Sequence, residues 1–182
     1  CSKTPIRNIL KYSLKDGRNK ASFIFVTTRI RISICSQTLE LIGPEGVQTY
    51  LISTSKYGPG EVKNSFCTPR GKHIIRAKIG DGQKLGTIFK ERRSTGEVFS
   101  DKRHNFQEGD WILTRILWLS GVEIGKNRLG DVDTMQRFVY IHGVPDQNIL
   151  GIPGSKGCIN MSNNDVKDIF DAVVVGTPVH IE

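Results

Sequence analysis

Long apolar runs and paired cysteines are missing from this sequence, and each absence excludes a class of protein. No stretch approaches the roughly 18–20 consecutive apolar residues that a membrane-spanning helix requires. No cysteines or histidines have zinc-finger spacing, and aromatic residues do not alternate with basic ones as they do in proteins that stack on bases. The sequence therefore predicts neither a metal site nor a nucleic-acid partner.

Acidic residues are scarce near the amino terminus. The first 31 residues carry eight basic side chains and one acidic one, whereas the other 151 residues carry 18 basic and 17 acidic side chains. Of the net charge of +8, the first 31 residues therefore carry +7 and the body of the protein is nearly neutral. We expect residues 1–21 to form a basic extension, either a solvated tail or a surface for an anionic lipid or another polyanion. Residues 22–182 are expected to form one domain.

Three of the four cysteines allow alternative interpretations. Cys35 and Cys67 could form a disulfide in an oxidising compartment, or they could be two separate half-buried thiols. Cys1 could be the acylated terminus of a lipoprotein, because its thiol begins the chain and Ser2 is small. A truncated start explains Cys1 equally well.

Alternation of polar and apolar residues predicts a mainly β domain. Residues 29–34 have the period of two expected for a half-buried strand, and a turn at 43–46 precedes a return strand at 47–53. Further strands are predicted at 73–77, 87–89, 111–119, 138–141 and 178–181. Together these strands predict a β-sandwich or barrel with one or two short helices.

One helix interrupts the strands. Ser162 is a good N-cap residue, and Asp165 follows three positions later. Apolar residues then recur at helical spacing from Val166. The pattern predicts a helix that ends near Gly176.

A polar stretch at residues 90–110 shows no apolar period. A loop this long inside a compact domain is typical of a lid or a binding loop. His104, between Arg103 and Asn105 in this stretch, is expected to be solvated.

One histidine and one cysteine carry the candidate chemistry. His142 closes a predicted strand, and Cys158 follows a loop that contains three glycines and can fold back toward it. A free thiol has a pKa of about 8.5, so little of it is thiolate near neutrality. A hydrogen-bonded imidazole can take the proton and later protonate an amine leaving group. The pair therefore predicts acyl transfer with Cys158 as nucleophile and His142 as base.

Such a histidine needs a partner for its other ring nitrogen. No Asp or Glu adjoins the motif, and the nearest backbone carbonyl in sequence is that of Gly143. Glycines before Cys158 allow backbone N–H groups to turn toward a reacting carbonyl and form an oxyanion hole. We therefore predict that Gly143 orients His142 and that the turn at Gly157 stabilises the oxyanion.

Residues 137–143, with the pair His142-Gly143, and residues 152–161, with Ser155-Lys156-Gly157-Cys158, resemble the catalytic domain of the YkuD-type L,D-transpeptidases. That family's signature is a His-Gly pair followed by Ser/Thr-His-Gly-Cys. The resemblance covers roughly residues 25–182, including the opening hairpin at 30–41, the Thr-Pro-x-Gly turn at 68–71 and the closing stretch at 176–179. It implies a β-sandwich-like catalytic domain with no metal or organic cofactor.

The resemblance also implies a reaction and a place. The family's cysteine attacks the bond between a diamino acid at stem position 3 and D-alanine at position 4 of peptidoglycan stem peptides. D-Alanine leaves, and an amine or water resolves the thioester. The implied location is the bacterial cell envelope, in the periplasm, where the basic arm could meet an anionic surface and Cys1 could carry a lipid anchor.

Five further residues are implied as oxyanion or substrate contacts: Gly157, Lys156, Ser155, Asn160 and Tyr140. Lys156 stands where the family usually has His, and Asn160 where it often has Arg. A protonated Lys156 could lower the pKa of the thiol, contact an anionic substrate group, or be a solvated loop lysine. Three functions stay open: a transpeptidase, an L,D-carboxypeptidase that uses water, and a catalytically weak peptidoglycan-binding module.

Overall fold

The computed structural model describes residues 27–104 and 109–182. The predicted basic extension at 1–21 and Cys1 lie outside these residues, so what the sequence indicates for them stays a prediction. Within the described ranges, no helix is both long enough and apolar enough to cross a membrane.

Ten strands and one α-helix make up the described part of the chain. The strands are β1 Arg29–Ser33, β2 Thr38–Gly43, β3 Gly46–Leu51, β4 Gly71–Ile79, β5 Thr87–Lys90, β6 Arg93–Val98, β7 Ile112–Gly121, β8 Tyr140–Gly143, β9 Ile159–Met161 and β10 Pro178–Ile181. The helix, α1, spans Asn163–Ala172, and a short 3-10 helix spans Gly130–Val132. The predicted mainly β class with one or two short helices is confirmed.

The strands form one mixed sheet that curls round on itself. Its order is β3-β2-β1-β10-β4-β7-β5-β6, and β8 and β9 continue from the other edge of β7. The chain that leaves β3 reaches β9, because Ser53 and Asn160 exchange two backbone hydrogen bonds of 2.9 Å. This contact brings the two ends of the curled sheet together beside the candidate site.

The main core fills the inside of the curl. Every second residue of β1 and β2 faces inward and is buried, as the period of two predicts. Helix α1 contributes Val166, Ile169 and Phe170 to the same cluster, and β8 and β9 contribute Ile141 and Ile159. Full burial of each such side chain stabilises the fold by about 1.5–3 kcal/mol.

Helix α1 begins where the sequence indicates and ends earlier. The Ser162 hydroxyl accepts a hydrogen bond from the Asp165 N–H at 3.1 Å, which is the predicted N-cap. The helix ends at Ala172, about one turn before Gly176, because Val173 adopts an extended backbone that buries its side chain. The predicted end near Gly176 is therefore wrong.

Residues 90–110 are not one long loop. Strand β6 lies inside this stretch and pairs with β5 through a two-residue turn. It lies at the edge of the sheet and is mostly exposed, so it has no apolar face that would reveal it in the sequence. The prediction of a solvated His104 is also wrong, because its ring packs against those of Phe99 and Trp111, with both centroids 5.4 Å away.

Candidate active site

The pairing of β8 with β9 brings the predicted histidine and cysteine to one face of the sheet. The two strands are parallel, with His142 opposite Asn160, so the same register sets Cys158 beside Tyr140. Ile141 is buried in the main core, and side chains alternate along a strand, so His142 faces the opposite side. By the spacing of strands and residues in a sheet, the Cα atoms of His142 and Cys158 are roughly 8 Å apart.

His142 is 1% exposed, and its ring is held by its own chain neighbour. Nδ1 lies 2.9 Å from the Gly143 carbonyl oxygen, which can only accept, so Nδ1 carries the proton. Burial lowers the pKa of His142, and the Gly143 carbonyl partly opposes this. The ring is therefore neutral, with its lone pair on Nε2, which is the form that a general base needs.

Only glycine fits at position 143. A Cβ there would lie 2.5 Å from the Asn163 Oδ1 and 2.9 Å from the Leu113 carbonyl oxygen. The predicted contact between Gly143 and His142 is present, and its catalytic role stays a prediction.

Cys158 has its thiol turned into an apolar cluster that contains Tyr140 and Trp118. Its Sγ accepts a hydrogen bond from the Tyr140 N–H at 3.4 Å and donates one to the Phe138 carbonyl at 3.6 Å. Burial raises the pKa of the thiol to about 12, although the Tyr140 N–H acts in the other direction. The thiol and the imidazole are therefore both neutral in this state.

The loop before Cys158 is bound to the segment that follows β3. The Thr54 carbonyl accepts hydrogen bonds from the N–H groups of Gly154 and Ser155, both at 2.9 Å. The Gln37 side chain in turn holds Thr54, accepting from its N–H and donating to its hydroxyl, both at 2.8 Å. Residues of the opening hairpin thus fix the loop that precedes the candidate nucleophile.

Two hydroxyl groups hold the peptide units around Gly157, whose φ of +119° favours glycine. Ser155 Oγ donates to the Cys158 carbonyl at 2.5 Å and accepts from the Gly157 N–H at 3.2 Å. Thr68 Oγ1 donates to the Gly157 carbonyl at 3.1 Å. The Gly157 N–H thus bonds within the turn, and its oxyanion role stays a prediction.

The remaining predicted contacts lie in two different settings. Asn160 is 6% exposed, and its Oδ1 has no hydrogen-bond partner in the described chain. Tyr140 is buried, and its hydroxyl accepts from Arg92. Lys156 is exposed and makes no hydrogen bond or ion pair with the residues that the structure describes. The structure therefore brings Ser155, Gly157, Asn160 and Tyr140 around Cys158, whereas Lys156 lies at the surface.

Sequence reasoning gave no role to Arg137, which organises the neighbouring loop. Its guanidinium donates to the carbonyls of Gly60, Glu61 and Cys67 at 3.1, 2.7 and 2.7 Å. Burial lowers the pKa of Arg137, while the nearby cysteines act to raise it. The positive charge of Arg137 favours the thiolate of Cys158, and the carboxylate of Asp110 disfavours it. Arg137 was visible in the motif, but its contacts depend on a loop some 70 residues away in sequence.

A second arginine, Arg92, was missed because it lies in the polar stretch. Its guanidinium donates to the Tyr140 hydroxyl at 3.2 Å and lies 5.1 and 4.8 Å from the ring centroids of Trp118 and Phe138. Arg92 therefore belongs to the same wall of the site as the thiol.

The described residues offer neither a metal-binding group nor a disulfide. Within 27–104 and 109–182, no three His, Cys, Asp or Glu side chains are grouped so that they could hold a metal ion. Cys35 is an exposed free thiol and Cys67 a half-buried one, so the structure has two separate thiols rather than the alternative disulfide.

Solved structures with a similar fold include two L,D-transpeptidases. L,D-Transpeptidase 3 from Mycobacterium tuberculosis shares 16% sequence identity at a TM-score of 0.52, and the match covers 85% of this chain and 60% of that one. An Enterococcus faecium L,D-transpeptidase shares 18% identity at a TM-score of 0.51, and the match covers 87% of this chain and 50% of that one. At these identities the likeness establishes the fold alone, and this chain spans less than two thirds of either protein.

No curated protein matches the chain. Residues 27–181 match the family model of the L,D-transpeptidase catalytic domain, named YkuD, and because this match spans most of the sequence, the chain belongs to that family.

Proposed function

We propose that this protein is a cysteine-dependent L,D-transpeptidase that transfers acyl groups between peptidoglycan stem peptides. Cys158 is the nucleophile and His142 the general base. The observation that supports this most is the β8–β9 pairing, which sets a buried imidazole with an oriented Nδ1 and a thiol on one face. Membership of the family supports the reaction class.

Acylation begins from the neutral pair. The thiol gives its proton to Nε2 of His142, and Sγ attacks the carbonyl carbon of the peptide bond that precedes the terminal D-alanine. The carbon–nitrogen bond then breaks as the imidazolium returns the proton to the departing amine. The product is a thioester on Cys158 and free D-alanine.

Deacylation reverses the roles of the groups. An acceptor amine gives a proton to His142 and attacks the thioester, and the carbon–sulfur bond breaks as the imidazolium reprotonates Sγ. With water as acceptor, the same steps would release a shortened stem, which is carboxypeptidase activity. The acceptor therefore decides between the two reactions.

The Gly143 carbonyl suits both steps. A hydrogen bond from Nδ1 becomes stronger when the ring is charged, so the contact of 2.9 Å stabilises the imidazolium while it exists. Burial has the opposite effect and keeps the charged pair short-lived, because a buried charge is disfavoured. Proton transfer is thus coupled to the attack on substrate.

We also propose that the protein works in the bacterial cell envelope, on the periplasmic side, because its substrate lies there. The basic arm at 1–21 would contact an anionic surface. Removal of residues 1–20 should weaken binding to anionic vesicles or wall polymers and spare turnover of soluble fragments. Unchanged binding would contradict this role of the basic arm.

The test of the reaction is product analysis by mass spectrometry after incubation with a purified disaccharide-tetrapeptide. The wild type should give a cross-linked dimer that lacks one D-alanine, and Cys158→Ala should give none. Cys67→Ala is the matched control, because Cys67 is a half-buried thiol in the neighbouring loop, and it should retain the activity.

The other outcomes separate the remaining functions. Tripeptide without dimer would indicate a carboxypeptidase. No product from a folded protein with a free Cys158 thiol would contradict the proposed chemistry, and binding of the tetrapeptide under those conditions would indicate a peptidoglycan-binding module.

A further inference from the structure

The hairpin of β5 and β6 presents Arg92 to the candidate site in a conformation that its sequence disfavours. Lys90 pairs with Arg93, so Glu91 and Arg92 alone form the turn, with φ of +48° and +67°. Two-residue turns with positive φ at both positions favour Asn-Gly, because side chains of other residues crowd the backbone there. A glutamate and an arginine in these positions indicate that a side chain is needed at the turn.

The aromatic residues beneath Arg92 hold its guanidinium in one place. The Trp118 and Phe138 rings lie 5.1 and 4.8 Å from it, and the Tyr140 hydroxyl accepts from one of its nitrogens at 3.2 Å. Phe138 also has a positive φ, +56°, and its side chain is half exposed although it is aromatic. Two strained backbone positions thus contribute to one stacked arrangement.

Arg92 differs from two other arginines, which pair with carboxylates. Arg31 pairs with Glu40 at 2.7 Å, and Arg70 pairs with Glu61 at 2.8 Å. Arg92 makes no ion pair with any carboxylate in 27–104 or 109–182, and it is half-buried rather than fully exposed. A guanidinium has five N–H donors, and one of them is used by Tyr140.

Tyr140 connects this guanidinium to the nucleophile. Its backbone N–H donates to Cys158 Sγ, and its hydroxyl accepts from Arg92. The distance from thiol to guanidinium is therefore spanned by one tyrosine and a hydrogen bond at each end. A peptide bound with its reacting carbonyl at Sγ would have its neighbouring groups near Arg92.

We propose that Arg92 binds a carboxylate of the donor peptide and so sets which donors Cys158 can attack. The inference rests on the proposed function for the identity of the donor. A planar guanidinium held by aromatic rings matches a carboxylate through two parallel hydrogen bonds, with little conformational entropy to lose. Two carboxylates flank the bond that Cys158 would attack: the terminal one on D-alanine and the free one on a diamino acid at position 3.

The test measures coupling between Arg92 and each carboxylate. Three tetrapeptide donors are compared: one with both acids, one with the terminal carboxylate amidated and one with the position 3 carboxylate amidated. Binding is measured by isothermal titration calorimetry to the unreactive Cys158→Ala protein, with and without Arg92→Gln. Acylation rates are measured in parallel with Cys158 intact.

One amidation should weaken binding about 10- to 100-fold when Arg92 is present, the loss expected for a hydrogen-bonded charge pair. The same amidation should change binding less than about twofold in the Arg92→Gln protein, because the partner is already gone. Whichever amidation shows this coupling identifies the carboxylate. A general structural role for Arg92 would weaken all three donors alike.

Two further variants keep the test decisive. Arg93→Gln removes the same charge from the adjacent exposed position of β6 and should bind every donor like the parent protein. Arg92→Lys keeps the charge without the planar fork and should lie between the wild type and Arg92→Gln.

The inference is overturned if neither amidation is coupled to Arg92, or if the donor with both acids does not bind. Normal acylation without coupling would reject the role of Arg92 and leave the proposed function standing. Coupled binding without acylation would support the role of Arg92 and reject the proposed function.

Discussion

His73 and His142 are two buried histidines with almost the same anchoring. His73 is 2% exposed and its Nδ1 lies 3.0 Å from the Gly71 carbonyl, while His142 is 1% exposed with Nδ1 2.9 Å from the Gly143 carbonyl. Burial lowers the pKa of both rings, and that of His73 falls to about 4. The difference lies at the second nitrogen, where His73 Nε2 is 3.0 Å from the Thr134 hydroxyl.

His142 has no such protein partner at Nε2 within the described residues, and it shares its face of the sheet with Cys158. Burial, a lowered pKa and a backbone carbonyl at Nδ1 therefore do not distinguish a base from a structural histidine. What distinguishes them is whether the second nitrogen is satisfied by the fold or available to a nucleophile.

The same substitution at both histidines should separate their roles by the largest margin. His142→Asn retains a donor for the Gly143 carbonyl but removes the base, and should lower turnover about 10²- to 10⁴-fold with little loss of stability. His73→Asn leaves the buried Thr134 hydroxyl without its partner and should cost about 1–3 kcal/mol of unfolding free energy, with turnover per folded molecule unchanged. Kinetics and denaturant melts on both variants test this, and an equal loss of turnover per folded molecule would contradict separate roles for the two histidines.

The state of the thiol gives the next largest effect. With the pKa of Cys158 at about 12, alkylation by iodoacetamide at pH 7 should be on the order of 100-fold slower than that of a cysteine peptide, after allowance for the greater nucleophilicity of a basic thiolate. The rate should keep rising with pH above 9. The alkylation rate is measured by mass spectrometry of the Cys158 peptide. A rate that reaches a plateau below pH 8 would instead reveal a thiolate–imidazolium pair formed before substrate binds.

The pH dependence of stability tests the burial of His73 as a neutral ring. His73 binds a proton near pH 6.5 in the unfolded chain and only near pH 4 in the folded chain. The free energy of unfolding therefore falls as the pH drops through this window. About 2 kcal/mol of unfolding free energy should be lost between pH 7 and pH 5. His142 shifts in the same direction, so His73→Asn should flatten the slope in part. Urea melts that give the same slope with and without His73 would contradict its burial as a neutral ring.

The last predicted effect is at Thr68, which shapes the turn before Cys158. Thr68→Val keeps the volume but leaves the Gly157 carbonyl and the Ser55 N–H without their partner, which should cost about 1–3 kcal/mol. Displacement of the turn should lower turnover about 10- to 100-fold. Thr49→Val, on the exposed strand β3, is the matched control and should change neither. Unaltered acylation by Thr68→Val would show that the turn keeps its geometry without this hydroxyl.

The sequence anticipated the parts of the fold whose patterns are local. The strand at 178–181 matches β10 to the residue, and the N-cap at Ser162 is present, because alternation and capping are written in neighbouring residues. Strand β6 was missed because both its faces are exposed, and β9 because three buried residues are too few for a period.

The residues of the candidate site also divide into those with a local sequence pattern, which were predicted, and those whose contacts are distant in sequence, which were not. His142, Gly143 and Cys158 stand in a recognisable order, and their proximity follows from one parallel pairing. Arg92 and Thr68 could not be assigned, because their contacts join segments 48 and 89 residues apart and leave no local pattern. Lys156 was singled out for its unusual identity, yet it is exposed and lacks partners in the described chain, so its role stays a prediction.

We expect Cys158 to become acylated with the help of His142. The decisive experiment is intact-protein mass spectrometry with a tetrapeptide donor whose side-chain amine is blocked, so that the donor cannot act as its own acceptor. The expected result is a mass increase equal to the donor minus D-alanine, located on Cys158 by peptide mapping and formed far more slowly in His142→Asn. An adduct on Cys35 or Cys67, or an acylation rate that does not depend on His142, would contradict it.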